Sequence, residues 1–330
     1  MVLDGQLPAA IAAAAAALAA GQLVGLPTET VYGLAADAGS DAAVRGIFAA
    51  KGRPADHPLI VHVASVAQVS DFADQVPVFA QKLIDAFWPG PLTLILPRRA
   101  GVAEAAAGGH ATIGLRCPAH PVAQALLAAC AARGVRGLAA PSANRFGRIS
   151  PTTAQHVAQE FGDELLVLDG GPCAVGIEST IVDCTRGAPV LLRPGQLARA
   201  DIERVAGQHL LSKEELLAPD PQAPGTLLAH YAPRAKLRLM DARELRAALD
   251  MLGADAKNIA VWARAPLRSA SRALVLRRMP DDAAAAAQQL FAVLRGFDDA
   301  GVALIWVETP PDDAAWDGVR DRLQRAAASA

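Results

Sequence analysis

The chain has 330 residues, 52% hydrophobic and 19% charged, which supplies a sizeable core and excludes wholesale disorder. A formal charge of −2 excludes a protein that coats nucleic acid by overall charge, and no run of about 18 residues is apolar enough to span a membrane. Length alone predicts two domains of roughly 150 residues.

The alanine-rich stretch 8–20 follows Asp4 rather than a basic segment, so it reads as a helix of a soluble protein and not as a secretion signal. Helix is predicted over 7–20 and strand over 23–27, then helix over 41–50 with Val44, Ile47 and Phe48 on one face. Strands follow at 59–63, 92–96, 112–115, 137–140, 165–169, 179–183 and 189–193. Helices fall at 76–87, 121–133 and 153–161, the last opened by Ser150-Pro151-Thr152. Strands alternating with helices predict an α/β sheet domain. A helix over 201–217 leads into a proline-dense stretch at 218–225, which reads as a linker. Beyond it, buried strands at 236–240, 259–262, 273–276 and 302–307 alternate with helices at 242–252, 283–294 and 313–328, the pattern of a small doubly wound domain.

The four cysteines, Cys117, Cys130, Cys173 and Cys184, form no C-x-x-C pair and read as buried thiols of a reducing compartment. Between Arg98 and Arg148 there are seven arginines against one acid, Glu104, enough to hold an anion if the fold gathers them. No P-loop, dinucleotide fingerprint, H-E-x-x-H or G-x-S-x-G occurs, so any nucleotide is held by a different cradle.

Six polar clusters stand out, most of them at predicted strand ends. Pro27-Thr-Glu-Thr-Val-Tyr-Gly-Leu34 brings two hydroxyls, a carboxylate and a phenol together. Lys51-Gly-Arg-Pro54 uses one of only five lysines in a chain that otherwise prefers arginine, which points to a compact point charge beside Arg53. His57 and His62 follow. Gly114-Leu-Arg116, Pro141-Ser-Ala-Asn144 and Glu178-Ser-Thr180 add a guanidinium, a hydroxyl with an amide, and a hydroxyl pair, and Leu191-Leu-Arg193 closes a strand on arginine.

These segments, with Trp88-Pro-Gly-Pro-Leu-Thr93 and Glu178-Ser-Thr-Ile-Val-Asp183, resemble the YrdC family in motif and in order. His230-Tyr-Ala-Pro233 after the linker resembles that family's longer, two-domain members. The resemblance implies a YrdC-like twisted mixed sheet flanked by helices around a concave site in residues 1–207. It further implies a linker over the active site in 208–235 and a smaller Rossmann-like α/β domain in 236–330.

The implied activity joins L-threonine, bicarbonate and ATP into threonylcarbamoyl-AMP with loss of pyrophosphate, for threonylcarbamoyladenosine in tRNA beside the anticodon. Carried over residue by residue, the family's lysine-x-arginine pair falls on Lys51 and Arg53 as catalytic groups and its serine-x-asparagine pair on Ser142 and Asn144. Thr30, His62, Arg116, Ala140 and Ser179 surround threonine, with Thr180 the alternative to Ser179. Arg53, His57, Thr112, Ser142, Asn144, Ser150 and Arg193 surround ATP, and Tyr231 closes over it. Mg²⁺ carried by ATP is the implied cofactor. The implied partners are the machinery that transfers the threonylcarbamoyl group to tRNA, and the arginine excess is the basis for weak RNA binding. The implied compartment is the cytoplasm, with no membrane. Two positions depart from the pattern: His57 stands where relatives commonly carry asparagine, and residues 225–229 lack the basic side chains that often precede the His-Tyr-Ala-Pro motif.

Overall fold

The computed structural model describes residues 1–216 and 230–328, so the proline-dense stretch 218–225 and much of the expected linker lie outside the described residues. The described residues divide into two compact units, 1–146 with 150–216, and 147–149 with 230–328.

In the first unit β1 (Val2–Asp4), α1 (Pro8–Ala19), β2 (Val24–Leu26) and β3 (Gly33–Asp37) come first, then α2 (Asp41–Lys51), β4 (Ile60–His62), α3 (Val69–Phe72) and α4 (Val78–Phe87). β5 (Leu92–Pro97), β6 (Thr112–Arg116), α5 (Pro121–Ala131) and β7 (Leu138–Ala139) follow. α6 (Ala154–Phe161), β8 (Leu166–Asp169), β9 (Thr180–Asp183), β10 (Val190–Arg193) and α7 (Arg199–Ala206) complete it. The strands form one mixed sheet in the order β1-β8-β2-β3-β7-β4-β6-β5-β9-β10.

Strand alternation sorts this sheet into two different faces. Leu59, Val61, Leu92, Leu94, Leu96, Ile113, Leu115 and Val182 point into the larger core with Val44, Ile47 and Phe48 of α2 and Leu83 and Ile84 of α4. On the opposite face, α1 and α5 bury Val24, Leu26, Ala35 and Leu138 of the β2, β3 and β7 half. The other half of that face carries the alternate residues of β4, β6, β5 and β9. His62 is the register partner of Arg116, Ile60 and Ile95 are both partners of Gly114, and Thr93 is the partner of Ile181. Polar side chains interrupt an otherwise apolar surface there.

α2 shows how the chain aims one of its cations. The Ser40 hydroxyl caps the first turn by accepting from Ala43 N at 3.3 Å. Its apolar stripe docks on the sheet, and Gly52, at φ 64°, adopts the left-handed turn that ends the helix directly after Lys51.

Elements largely fall where periodicity places them. β1 and β3 were not expected, since Leu34-Ala-Ala36 lacks the β-branched residues that mark a strand. The helix predicted over 201–217 begins earlier and ends at Ala206, where Gly207 turns left-handed at φ 71°; Leu217 lies outside the described residues.

The second unit contains β11 (Lys236–Met240), α8 (Ala242–Leu252), β12 (Ile259–Ala263), β13 (Val275–Arg278), α9 (Ala283–Asp299), β14 (Leu304–Glu308) and α10 (Asp317–Ala327). Its strands are parallel throughout, in the order β11-β14-β12-β13, with α8 and α9 as crossovers and, among the described residues, no helix between β12 and β13, the small Rossmann-like layer expected. β13, expected as a buried strand over 273–276, is instead an edge strand displaced toward Arg278, with Leu276 exposed.

Candidate active site

The Pro27–Leu34 segment folds on its own hydroxyls. Thr28 Oγ1 accepts from the amides of Thr30 and Val31 at 3.2 Å each and donates to the Val31 carbonyl at 2.6 Å, giving backbone groups partners outside any strand. Tyr32 is buried, donates to the Gly171 carbonyl at 2.8 Å and accepts from Gly170 N at 3.1 Å; burial pushes its phenol pKa up. This segment embraces the 141–144 turn, with Leu34 N bonded to Pro141 O and Ala143 N to Tyr32 O, each at 2.8 Å.

Arg116 draws three separate motifs together. Its Nη1 donates to Thr30 Oγ1 at 2.7 Å, its Nε donates to the Gly90 carbonyl at 3.2 Å, and its Nη2 lies 2.6 Å from Glu29 Oε1. Burial raises the pKa of the Glu29 carboxyl, but the charge and hydrogen bond of Arg116, with backbone donors, outweigh it and hold the group below its ordinary range. His62 stands beside Arg116 on the sheet, fully enclosed; burial first, then the Arg116 charge, depress its pKa to about 3. Its Nδ1 has no hydrogen-bond partner among the described residues.

A second set of contacts fixes Lys51. Its ammonium is buried at 3% exposure and donates to the carbonyls of Ser142 and Asn144, both at 2.5 Å. Burial and then the neighbouring Arg53 charge drive its pKa well down, against opposing pulls from Glu160 and Glu178. Arg53 Nη2 donates to the Pro58 carbonyl at 3.1 Å, and its guanidinium lies 5.9 Å from the centre of the Phe146 ring. His57 packs on the same ring at 5.7 Å, and burial, then Arg53, lower its pKa.

A third set lies at β9 and β10. Arg193 is buried and donates to the Ser179 carbonyl from Nε at 3.0 Å and from Nη2 at 2.9 Å, and to the Ser179 hydroxyl at 3.2 Å. Thr93 and Ser179 share a hydrogen bond of 2.8 Å. The Thr180 hydroxyl faces elsewhere and accepts from Leu197 N at 3.4 Å. Ser150 Oγ donates to Glu178 Oε1 at 2.5 Å, both side chains being buried. Thr112 begins β6 at the far end from Arg116. Ala140 bonds through its amide to the Ile60 carbonyl at 3.0 Å and packs its methyl into the core beneath α1 and α5.

Thus the fold joins Thr30 with Arg116 and His62, Lys51 with Ser142 and Asn144, Arg53 with His57 through Phe146, and Ser179 with Arg193. Tyr231 belongs to the second unit. There it is buried at φ 62°, with His230 edge-on at 4.1 Å, Phe291 at 5.3 Å and the Arg322 guanidinium 5.8 Å from its ring centre. The arginine excess is dispersed rather than gathered. Arg98 donates to His110 O, Arg99 to Ser70 O and Arg133 to Ala129 O, Arg136 pairs with Asp71, and Arg145 bonds Ala50 O. All four cysteines are buried and none forms a disulfide among the described residues. Among the described residues no group of three His, Cys, Asp or Glu side chains is placed to hold a metal, and no helix is long and apolar enough to cross a membrane.

Sequence reasoning gave no individual role to Glu29, Glu178 or Thr93. Each lies inside a motif already singled out, and the available signal was a carboxylate or hydroxyl at a position whose neighbours are buried.

A family model described as telomere recombination, covering Sua5, YciO and YrdC proteins, matches residues 16–195. A second, described as the C-terminal domain of threonylcarbamoyl-AMP synthase, matches residues 197–328. The chain is 38% identical over 315 residues to the threonylcarbamoyl-AMP synthase of Pyrococcus abyssi, covering 93% of this chain and 90% of that protein. It is 37% identical over 332 residues to the Bacillus subtilis protein of the same name, covering 96% and 92%. Among solved structures, that of P. abyssi Sua5 complexed with L-threonine superposes with a TM-score of 0.87 at 36% identity, covering 97% of this chain and 94% of that one.

Proposed function

The chain belongs to the family of Sua5, YciO and YrdC proteins, and from that premise we infer that it is a threonylcarbamoyl-AMP synthase, joining L-threonine, bicarbonate and ATP with release of pyrophosphate. One observation carries the residue assignments: motifs far apart in the chain meet in two contacts, Lys51 on the Ser142 and Asn144 carbonyls and Arg116 on Thr30 and Glu29.

In this reading the amine of threonine adds to carbon dioxide derived from bicarbonate and loses a proton, giving an N-carboxylate. One of its oxygens attacks the α-phosphorus of ATP, and the bond to pyrophosphate breaks. No side chain becomes covalently attached. The work is positioning and charge stabilisation. Arg116 orients the amino acid, Thr30 and the neutral His62 ring line its pocket with the Ala140 backbone, and Ser179 contributes a hydroxyl. Lys51 is buried on two backbone carbonyls beside the Arg53 cation, with Glu160 and Glu178 only partly offsetting burial, and the ATP phosphates supply further negative charge there. Arg53, His57, Thr112, Ser142, Asn144, Ser150 and Arg193 hold the rest of the nucleotide. Tyr231 is assigned to ATP by its motif alone. Magnesium enters as part of the ATP substrate, on its phosphate oxygens. The product goes to the machinery that modifies tRNA, and a cytoplasmic setting suits both that use and four cysteines that form no disulfide among the described residues.

The test is pyrophosphate release from ATP with threonine and bicarbonate each present or omitted, alongside mass detection of threonylcarbamoyl-AMP. Release that requires both supports the reading. Release without threonine, or none from folded protein, overturns it.

A further inference from the structure

Thr93 and Ser179 are both fully buried, and their hydroxyl oxygens lie 2.8 Å apart. Either hydroxyl can donate, and among the described residues the other's hydrogen is then left without a protein acceptor, so the protein alone does not choose between the two arrangements. An acceptor supplied at Ser179 makes the choice: with Thr93 donating, and Nη2–H of Arg193 donating to Ser179 Oγ at 3.2 Å, both acceptor positions of that oxygen are filled and its O–H is the group left to donate.

We propose that Thr93 is a positioning residue: by donating to Ser179 it makes that hydroxyl a committed donor to an acceptor oxygen of the amino-acid substrate, its carboxylate. Position on the sheet fits this role. Thr93 precedes Leu94, whose partner Leu115 precedes Arg116, so Thr93 shares the polar face with Arg116 and His62. A carboxylate bound on this face receives the Ser179 O–H in the arrangement in which Thr93 donates. Strand alternation separates Ser179 from Thr180, which is the register partner of Leu92 on the side of the larger core.

The inference rests on the threonine-dependent reading above, so the experiment first measures L-threonine binding and product formation by the full wild-type chain. Failure there defeats that reading. With the wild type active, Thr93→Val, which keeps the shape and removes the hydroxyl, is expected to weaken threonine binding about tenfold while the KM for ATP stays within about twofold. Thr93→Ser should restore threonine affinity, since it restores the donor. In a Ser179→Ala background, Thr93→Val should add nothing further, because the two act as one unit. Unchanged threonine affinity in Thr93→Val overturns the proposal, as does a loss in Thr93→Ser as large as in Thr93→Val, or losses that simply multiply in the double variant. Should the valine variant fail to fold, Thr93→Ala carries the same comparison.

Discussion

His62 and Arg116 are register partners on parallel strands β4 and β6, which places an uncharged imidazole beside a permanent cation in a buried site. Proton binding to the folded chain is suppressed at this ring, since its pKa falls from 6.5 to about 3, while the unfolded chain binds the proton normally. Stability therefore falls as pH drops below about 6.5 toward 3, by up to ~1.4 kcal/mol per pH unit from this group. Denaturant midpoints of the wild type should drop between about pH 7 and pH 5, and a His62→Asn variant should show a shallower decline. Equal slopes in the two proteins would mean that His62 is not held neutral by the fold.

Lys51 presents a sharper functional test. Two backbone carbonyls fix its ammonium, so both its charge and its compact shape matter. Lys51→Ala is expected to lower turnover tenfold or more, since one well-placed cation is worth about 2–4 kcal/mol in the transition state. Lys51→Arg should fail nearly as badly, because a planar guanidinium does not fit between two carbonyls spaced for an ammonium. Pyrophosphate release from variants shown to be folded by circular dichroism decides it. Normal turnover of either protein would remove Lys51 from the catalytic groups.

The sequence made the Lys51 cluster legible as separate motifs but not as a contact. Periodicity located α2, and the rarity of lysine marked its last residue, yet nothing local states that the carbonyls of residues 142 and 144 receive it. β3 escaped notice because Gly33–Asp37 is strand by pairing, antiparallel to β2 and β7, rather than by intrinsic preference. α7 was read too long because amphipathic spacing continues past the glycine that stops it. The arginine excess at 98–148 was visible, but its dispersal onto separate local partners depends on tertiary packing. The alternation of His62, Thr93 and Arg116 with core residues was present in the chain and becomes meaningful only once β4, β6 and β5 are known to be neighbours.

Glu29 and Arg116 test the cost of a buried pair. Removing one partner strands the other in a low-dielectric site, so Glu29→Ala should destabilise the fold by about 3–5 kcal/mol, whereas Glu29→Gln keeps a hydrogen-bond acceptor for Arg116 and should lose less. Because the carboxyl is held below its ordinary pKa of 4.5, its contribution is present above that value and is lost as pH falls through the lower folded value. Chemical denaturation of the three proteins above and below about pH 4.5 measures both effects. Equal stability of the alanine and glutamine variants would argue against the ion pair.

Gly195 lies under the same strand start that carries Ser179. A methyl group there would stand 2.5 Å from Thr180 N, 2.6 Å from Thr180 Oγ1 and 3.0 Å from the Glu178 carbonyl. Two of the three obstacles are backbone atoms, so no rotamer change relieves the collision, and β9 itself must shift. Ser179 lies between the two displaced residues, and Arg193 grips its carbonyl and hydroxyl, so the shift reaches the site as well as the core. Gly195→Ala is therefore expected to cost roughly 1–3 kcal/mol of stability, typical of overpacking, and to weaken threonine binding at temperatures where the fold survives. Steady-state kinetics in threonine at low temperature, beside a melting curve, separates the two losses. A variant that melts early but binds threonine normally when folded would mean that the Ser179 hydroxyl tolerates movement of its strand.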